Sequence, residues 1–140
     1  SRQEEGTMRT AFATRNYKHV LNEKIQTELR IKAYQNPAFE VCGFITESGL
    51  ILDVENVSSD PKNSFFMSPN EQYELMRRHN GHILGIWHTH PSGIPYPSEH
   101  DEQGVLYGMS SEWWYWIVTT EHVYQYSWAI TEQASGVPAL

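Results

Sequence analysis

A single cysteine in 140 residues rules out an internal disulfide and any thiolate metal cage. It also removes the zinc deaminases, which need a Pro-Cys-x-x-Cys pair beside their histidine. Cys42 sits in the apolar run 41–45, where a lone cysteine serves as a small buried hydrophobe. Nothing adjacent would depress its thiol pKa, so a cysteine nucleophile is a poor reading. Basic residues are scarce as well: ten Lys and Arg against 17 Asp and Glu, a formal charge of −7. Without a basic cluster, nucleic acid and anionic membrane are not expected partners. No apolar segment reaches membrane-spanning length, and the longest aromatic run, 113–118, is strand-sized. No signal-peptide pattern opens the chain, which points to a cytoplasmic location. Repeats, linkers and low-complexity segments are also missing.

A hydrophobic content of 39% argues against disorder, and the length suits one domain with a core of its own. Residues 1–7, ahead of Met8, read as a cloning remnant, residues 8–131 as the domain, and 132–140 as a small, polar, flexible tail. The apolar residues Val20, Leu21, Ile25, Leu29 and Ala33 predict an amphipathic helix over 17–35, stopped by Asn36-Pro37. Residues 41–46 and 50–57 predict a hairpin around Ser48-Gly49, followed by a loop over 58–63 and a brief strand at 65–67. Ser68-Pro69-Asn70-Glu71 is a strong helix start, and that helix should run to about Asn80. An apolar strand follows over 82–87, then a helix from Ser98 to about Met109, weakened by Gly104. Aromatic-rich strands over 114–119 and 123–130 close the domain. Interleaved helices and strands give a mixed α+β, or α/β, layered fold.

The most informative stretch is His88-Thr89-His90-Pro91, with Ser98 and Asp101 close behind. Side chains two apart on a strand project from one face, so His88 and His90 can grip one ion together. Asp101 would return from the following turn or helix to supply an oxygen. Three protein ligands of mixed nitrogen and oxygen type leave a fourth position for water, the catalytic arrangement for zinc. Pro91, Gly93, Pro95 and Pro97 make the intervening loop stiff. Ser98, with Asp101 three residues on, reads as a helix cap. At that position its hydroxyl fits two roles, oxyanion donor and plain N-cap, and they are compatible.

The pattern His-x-His-x7-Ser-x2-Asp, filled by His88, His90, Ser98 and Asp101, resembles the metal-binding signature of the JAMM (MPN-plus) metallopeptidases. That family also carries an upstream glutamate in a Pro-x-Glu-x-Cys-Gly setting. Pro37-Ala38-Phe39-Glu40-Val41-Cys42-Gly43 is similar, with one extra residue between proline and glutamate. The likeness spans about residues 37–120. It implies a central mixed β-sheet flanked by helices, in the layered manner of the deaminases. It further implies one zinc ion on His88, His90 and Asp101, Glu40 as general base, and a protein or peptide substrate. Ser98 would then donate to the developing oxyanion.

Residues 55–69 and 90–99 are in addition similar to the JAMM domain of phage tail assembly proteins of the lambda K type. That likeness implies a tail-protein partner and a virion-associated location as alternatives. Such proteins commonly carry a second, cysteine-peptidase domain. This chain ends before one, either as a stand-alone relative or as part of a longer protein. The rival reading is a non-catalytic scaffold of the same fold, as the MPN-minus relatives are, although those lack the metal ligands. The remaining histidines, His19, His79, His82, His100 and His122, lack partners at ligand spacing and read as surface or supporting residues. His100 reads as a rim residue. Trp113 to Trp116 read as sheet core, with Trp114 or Trp116 as an exposed partner face the alternative.

Overall fold

The computed structural model describes residues 7–108 and 110–134. In chain order the elements are β1 (Thr7–Asn16), α1 (Glu23–Gln35), β2 (Cys42–Thr46), β3 (Ile51–Val54), α2 (Pro69–Arg78), β4 (Ile83–Thr89), α3 (Glu99–Tyr107), β5 (Trp114–Val118) and β6 (Val123–Ala134). They form a mixed α+β domain around one six-stranded sheet of order β1-β6-β5-β4-β2-β3. β4 and β5 run parallel and are joined through α3, whereas the other pairs are antiparallel.

Strand alternation sorts the side chains into two cores. Phe44, Ile86, Tyr115, Ile117 and Trp128 face α2 and α3, which contribute Leu75, Met76, Val105 and Leu106. Ile45, Trp87, Trp116, Val118 and Val123 face the opposite way and pack on Leu29 and Ala33 of α1. The sheet is thus covered on both faces, which explains the nearly unbroken apolar runs of β4 and β5. Gly85 belongs to this packing. A Cβ there would lie 2.2 Å from the Trp114 carbonyl oxygen and 2.7 Å from the Trp116 ring, so only glycine lets the strands approach.

Local chemistry fixes several element ends. The Asn22 side chain caps α1 by accepting from the Ile25 N–H. Ser68 caps α2, with Pro69 in the first turn, as its sequence predicts. Asn80 and Gly81 have positive φ and turn the chain from α2 into β4.

The structure departs from the periodicity at both ends. α1 begins at Glu23, not near residue 17, because residues 17–22 form an irregular connector. Buried Gln125 satisfies that connector's backbone: its Oε1 accepts from the Val20 N–H and its Nε2 donates to the Lys18 carbonyl. The same Oε1 accepts from Trp116 Nε1 at 2.9 Å. Trp116 is wholly buried and Trp114 packs beside it, so the pair is core, not an exposed partner face.

β1 has no counterpart in the sequence reading. Its Ala and Thr residues alternate too weakly to signal a strand, and pairing with β6 supplies the order. Thr7 opens that strand, and β6 continues through 131–134 past the predicted end at Ile130. The remnant read at 1–6, the tail beyond 134 and the helix end at Met109 lie outside the described residues. β3 stops at Val54, and the brief strand at 65–67 reduces to one bridge between Asn56 and Met67.

Candidate metal centre

The candidate site lies beyond the C-terminal end of β4, beside its parallel neighbour β5, where open α/β sheets place ligands. His88 projects from β4 to the α2/α3 side, in line with Ile86. Thr89 faces away and fixes the neighbouring segment: its hydroxyl accepts from the Val41 N–H, and its own N–H bonds the Val41 carbonyl. Glu40 is thereby held next to the histidines. His90 extends the ladder by one bond, donating its N–H to the Val118 carbonyl.

The two imidazoles meet at a ring nitrogen each, His88 Nε2 lying 2.9 Å from His90 Nε2. Asp101, in the first turn of α3, closes the group. Its Oδ1 is 3.2 Å from His88 Nε2 and its Oδ2 is 3.4 Å from His90 Nε2. Glu40, His88 and His90 also each offer a ligand atom within 4.8 Å of the others. Two carboxylates therefore lie close to one histidine pair. All four side chains are buried.

Hydrogen bonds set the orientation. The Ile94 carbonyl accepts from His90 Nδ1 at 2.8 Å, which assigns the proton to Nδ1 and turns the Nε2 lone pair inward. Gly93, with a φ of 81°, makes the turn that brings this carbonyl back, and its N–H bonds the His90 carbonyl. Ser98 and Asp101 form a capping box. The Ser98 hydroxyl accepts from the Asp101 N–H, and Asp101 Oδ2 accepts from the Ser98 N–H at 2.8 Å. The Ser98 hydroxyl is thus an N-cap acceptor whose own proton remains free to donate.

The electrostatics divide the two carboxylates. Burial alone would raise the Asp101 pKa, but His88, His90 and the Ser98 N–H hold it far below the usual carboxylate range. Burial pushes Glu40 up to about 8, a rise opposed by His90 and reinforced by Asp101. Burial lowers the pKa of His88. It works the same way on His90, where contact with Asp101 and the Ile94 carbonyl outweighs it and the net shift is upward.

The buried atoms left without partners test whether a cation fits. Glu40 Oε1 is buried and unbonded, and a carboxylate oxygen of Glu40 lies within 4.8 Å of a ring nitrogen of both His88 and His90. A buried carboxylate oxygen with no hydrogen bond is costly unless a cation or water meets it. Two imidazole nitrogens directed at each other beside an anionic Asp101 are likewise a donor set suited to zinc. The residues present fit such an ion.

Two aromatic neighbours were not legible as site residues. Phe65 stacks on His88 with ring centroids 4.4 Å apart, and fully buried Tyr115 lies 5.2 Å from the same ring. Phe65 stood in a stretch read as a strand and Tyr115 in one read as core, so neither carried a separate signal. Of the other histidines, His82 pairs with Glu47 at the surface and His122 packs on Tyr124. His100 is exposed on α3. Cys42 is buried, donates to the Val54 carbonyl, and has its thiol pushed up by burial to about 12. It is no nucleophile.

Among the described residues, no helix is long and apolar enough to cross a membrane. No curated protein matches the chain. Protein DSY2949 from Desulfitobacterium hafniense, solved in solution, has a similar fold with a TM-score of 0.58 and 23% identity. The alignment covers 81% of this chain and 88% of that one. The family described as prokaryotic homologs of the JAB domain matches residues 22–131, a span holding the sheet from β2 to β5, all three helices and every residue of the histidine–carboxylate cluster. The chain belongs to the prokaryotic JAB family.

Proposed function

We propose that this protein is a zinc-dependent peptidase or isopeptidase that hydrolyses an amide bond with water as nucleophile. The carrying observation is the convergence of His88 Nε2, His90 Nε2 and the Asp101 carboxylate, with buried Glu40, one of whose oxygens has no partner, close to the histidine pair. His88, His90 and Asp101 would hold the ion. Asp101 suits this role because its anionic form is locked in by two imidazoles and a backbone N–H. When bound, zinc supplies Lewis acidity toward the scissile carbonyl and lowers the pKa of water to about 7.

The remaining steps belong to the chain. Glu40 Oε1 takes a proton from the attacking water and then delivers it to the departing amine nitrogen. Its burial favours the first half of this task, because a carboxyl shielded from solvent is a stronger base than an exposed one. Ser98 donates its free hydroxyl proton to the developing oxyanion while continuing to cap α3. The Ile94 carbonyl keeps His90 in the tautomer that presents Nε2. No covalent enzyme intermediate is required.

The substrate is a protein or peptide, and the formal charge of −7 favours a neutral or basic one. The likeness to tail assembly proteins makes a phage tail component one such substrate, with a virion-associated or cytoplasmic location. The deciding experiment combines metal analysis of the purified chain with digestion of a peptide library by the parent and by Glu40→Gln. Zinc near one equivalent, with cleavage lost in the variant, supports the proposal. A zinc-loaded parent that cuts nothing overturns it and leaves a metal-binding scaffold.

A further inference from the structure

We infer that the metal centre is joined to a side-chain pocket that selects a large apolar residue flanking the scissile bond. The inference rests on the peptidase reading and names its substrate class. Between α2, α3 and the segment 65–67 lies an open cavity of about 320 Å³. Its walls are mainly Phe65, Phe66, Met67, Met76, Ile86 and Trp113. A dry apolar cavity of about 150 Å³ already admits benzene, so one aromatic or long aliphatic side chain fits with room for its backbone at the mouth.

Two residues belong to the cavity and the metal centre at once. Phe65 lines the cavity and stacks on the His88 imidazole at 4.4 Å. Asp101 lines it as well, while its carboxylate oxygens lie 3.2 and 3.4 Å from the two histidine nitrogens. The inner wall of the pocket is therefore the outer wall of the reaction site. A substrate whose carbonyl sits at the histidine pair has its adjacent side chain within reach of this space.

The facing wall is built for access. Gly104 and Gly108 of the α3 segment both line the cavity. A Cβ on Gly108 would touch nothing closer than the Gly104 carbonyl oxygen at 3.7 Å, and its φ is not positive. Gly108→Leu therefore adds an apolar side chain at the cavity wall with room for its Cβ. At the rim, Phe66 is 58% exposed, so an apolar ligand would cover surface that now meets water.

The inference is tested with the zinc-loaded full chain in two arms. The first is a peptide library varied at the positions either side of the cleaved bond. Phe, Leu or Met at one flanking position should be preferred over Gly by roughly 10- to 100-fold in kcat/KM. Gly108→Leu should collapse that ratio toward one, and Phe66→Ala, at an exposed position, should reduce it in part. The second arm needs no turnover: N-acetyl-phenylalanine amide and N-acetyl-glycine amide are titrated against the parent and both variants by NMR. The phenylalanine probe should shift the Gly104 and Gly108 amides and the Trp113 indole saturably, at least about tenfold more tightly than the glycine probe, and lose this in Gly108→Leu. Binding without cleavage of any peptide would sink the peptidase reading and keep the pocket. Cleavage without an apolar preference, or a preference untouched by both variants, overturns the pocket and keeps the peptidase reading.

Discussion

The Ile94 carbonyl accepts the Nδ1 proton of His90 at 2.8 Å, so a residue four places along the chain decides which nitrogen His90 presents to the metal centre. That carbonyl is delivered by Gly93, whose φ of 81° other residues adopt only at a cost of roughly 1–2 kcal/mol. Gly93→Ala is expected to weaken zinc binding by about 10-fold, the lower end of the range for losing an outer-shell partner. Competition with a chromophoric chelator measures it. Unchanged affinity would make the Ile94 contact incidental.

Removing the cluster's members one at a time should give separable defects. Glu40→Gln is expected to retain about one zinc and lose turnover by at least about 100-fold, in line with the contribution of a positioned base. His88→Ala and Asp101→Asn are expected to lose metal together with activity. Metal content by mass spectrometry and kcat on a common peptide separate the classes. An Asp101→Asn protein with full zinc would move the third ligand to Glu40, which also lies within reach of the histidine pair.

The hydroxyl of Ser98 can be assigned by comparing stability with rate. As an N-cap its loss in Ser98→Ala costs about 1 kcal/mol, a melting shift of roughly 4 °C for a domain of this size. As an oxyanion donor its loss costs about 2.7–4 kcal/mol in the barrier, or 100- to 1000-fold in kcat. Both shifts together are expected. A stability loss with kcat intact would reduce Ser98 to a helix cap.

Glu40 should also write a pH dependence into the metal-free protein. Burial raises its pKa from 4.5 to about 8, so the folded state holds that proton more tightly than the unfolded chain. The stability from this proton is full below pH 4.5 and is lost as pH climbs toward 8. The thermal midpoint of the metal-free parent should therefore fall over that interval relative to Glu40→Gln. A bound dication beside the carboxylate reverses the preference, so zinc should flatten the difference. Parallel curves for parent and variant without metal would contradict the burial of the carboxylate.

Cys42 provides a control. Buried at 1% exposure, with its thiol pushed up to about 12, it should resist iodoacetamide at pH 8 in the folded protein and react only on denaturation. Cys42→Ala should keep its turnover.

The site was more legible in the sequence than the frame around it. His88, His90 and Asp101 stand out because a strand's two-residue repeat and a helix's first turn are local rules, and the structure brings their polar ends together. Glu40 carries no local signal: it joins the group because Thr89 pins Val41 across the sheet, 48 positions away in the chain, while Pro61 and Asn56 bond its own backbone. β1 escaped for a similar reason, since its Ala-Thr-rich strand is ordered by pairing with the far end of the chain. The helical periodicity over 17–22 misled because Gln125, also remote, stabilises a non-helical path there. The pocket beside Asp101 is assembled from the segment 65–67, α2, β4, the α3 segment and Trp113, five separate stretches that no linear pattern advertises as one site.

Asp101 holds two offices, starting α3 and facing the histidines, and this has an evolutionary corollary. A descendant that lost Asp101 would forfeit about 1 kcal/mol of helix capping along with a partner of the histidine pair. Glu40 has no such second employment for its side chain; its buried oxygen burdens the fold unless chemistry uses it.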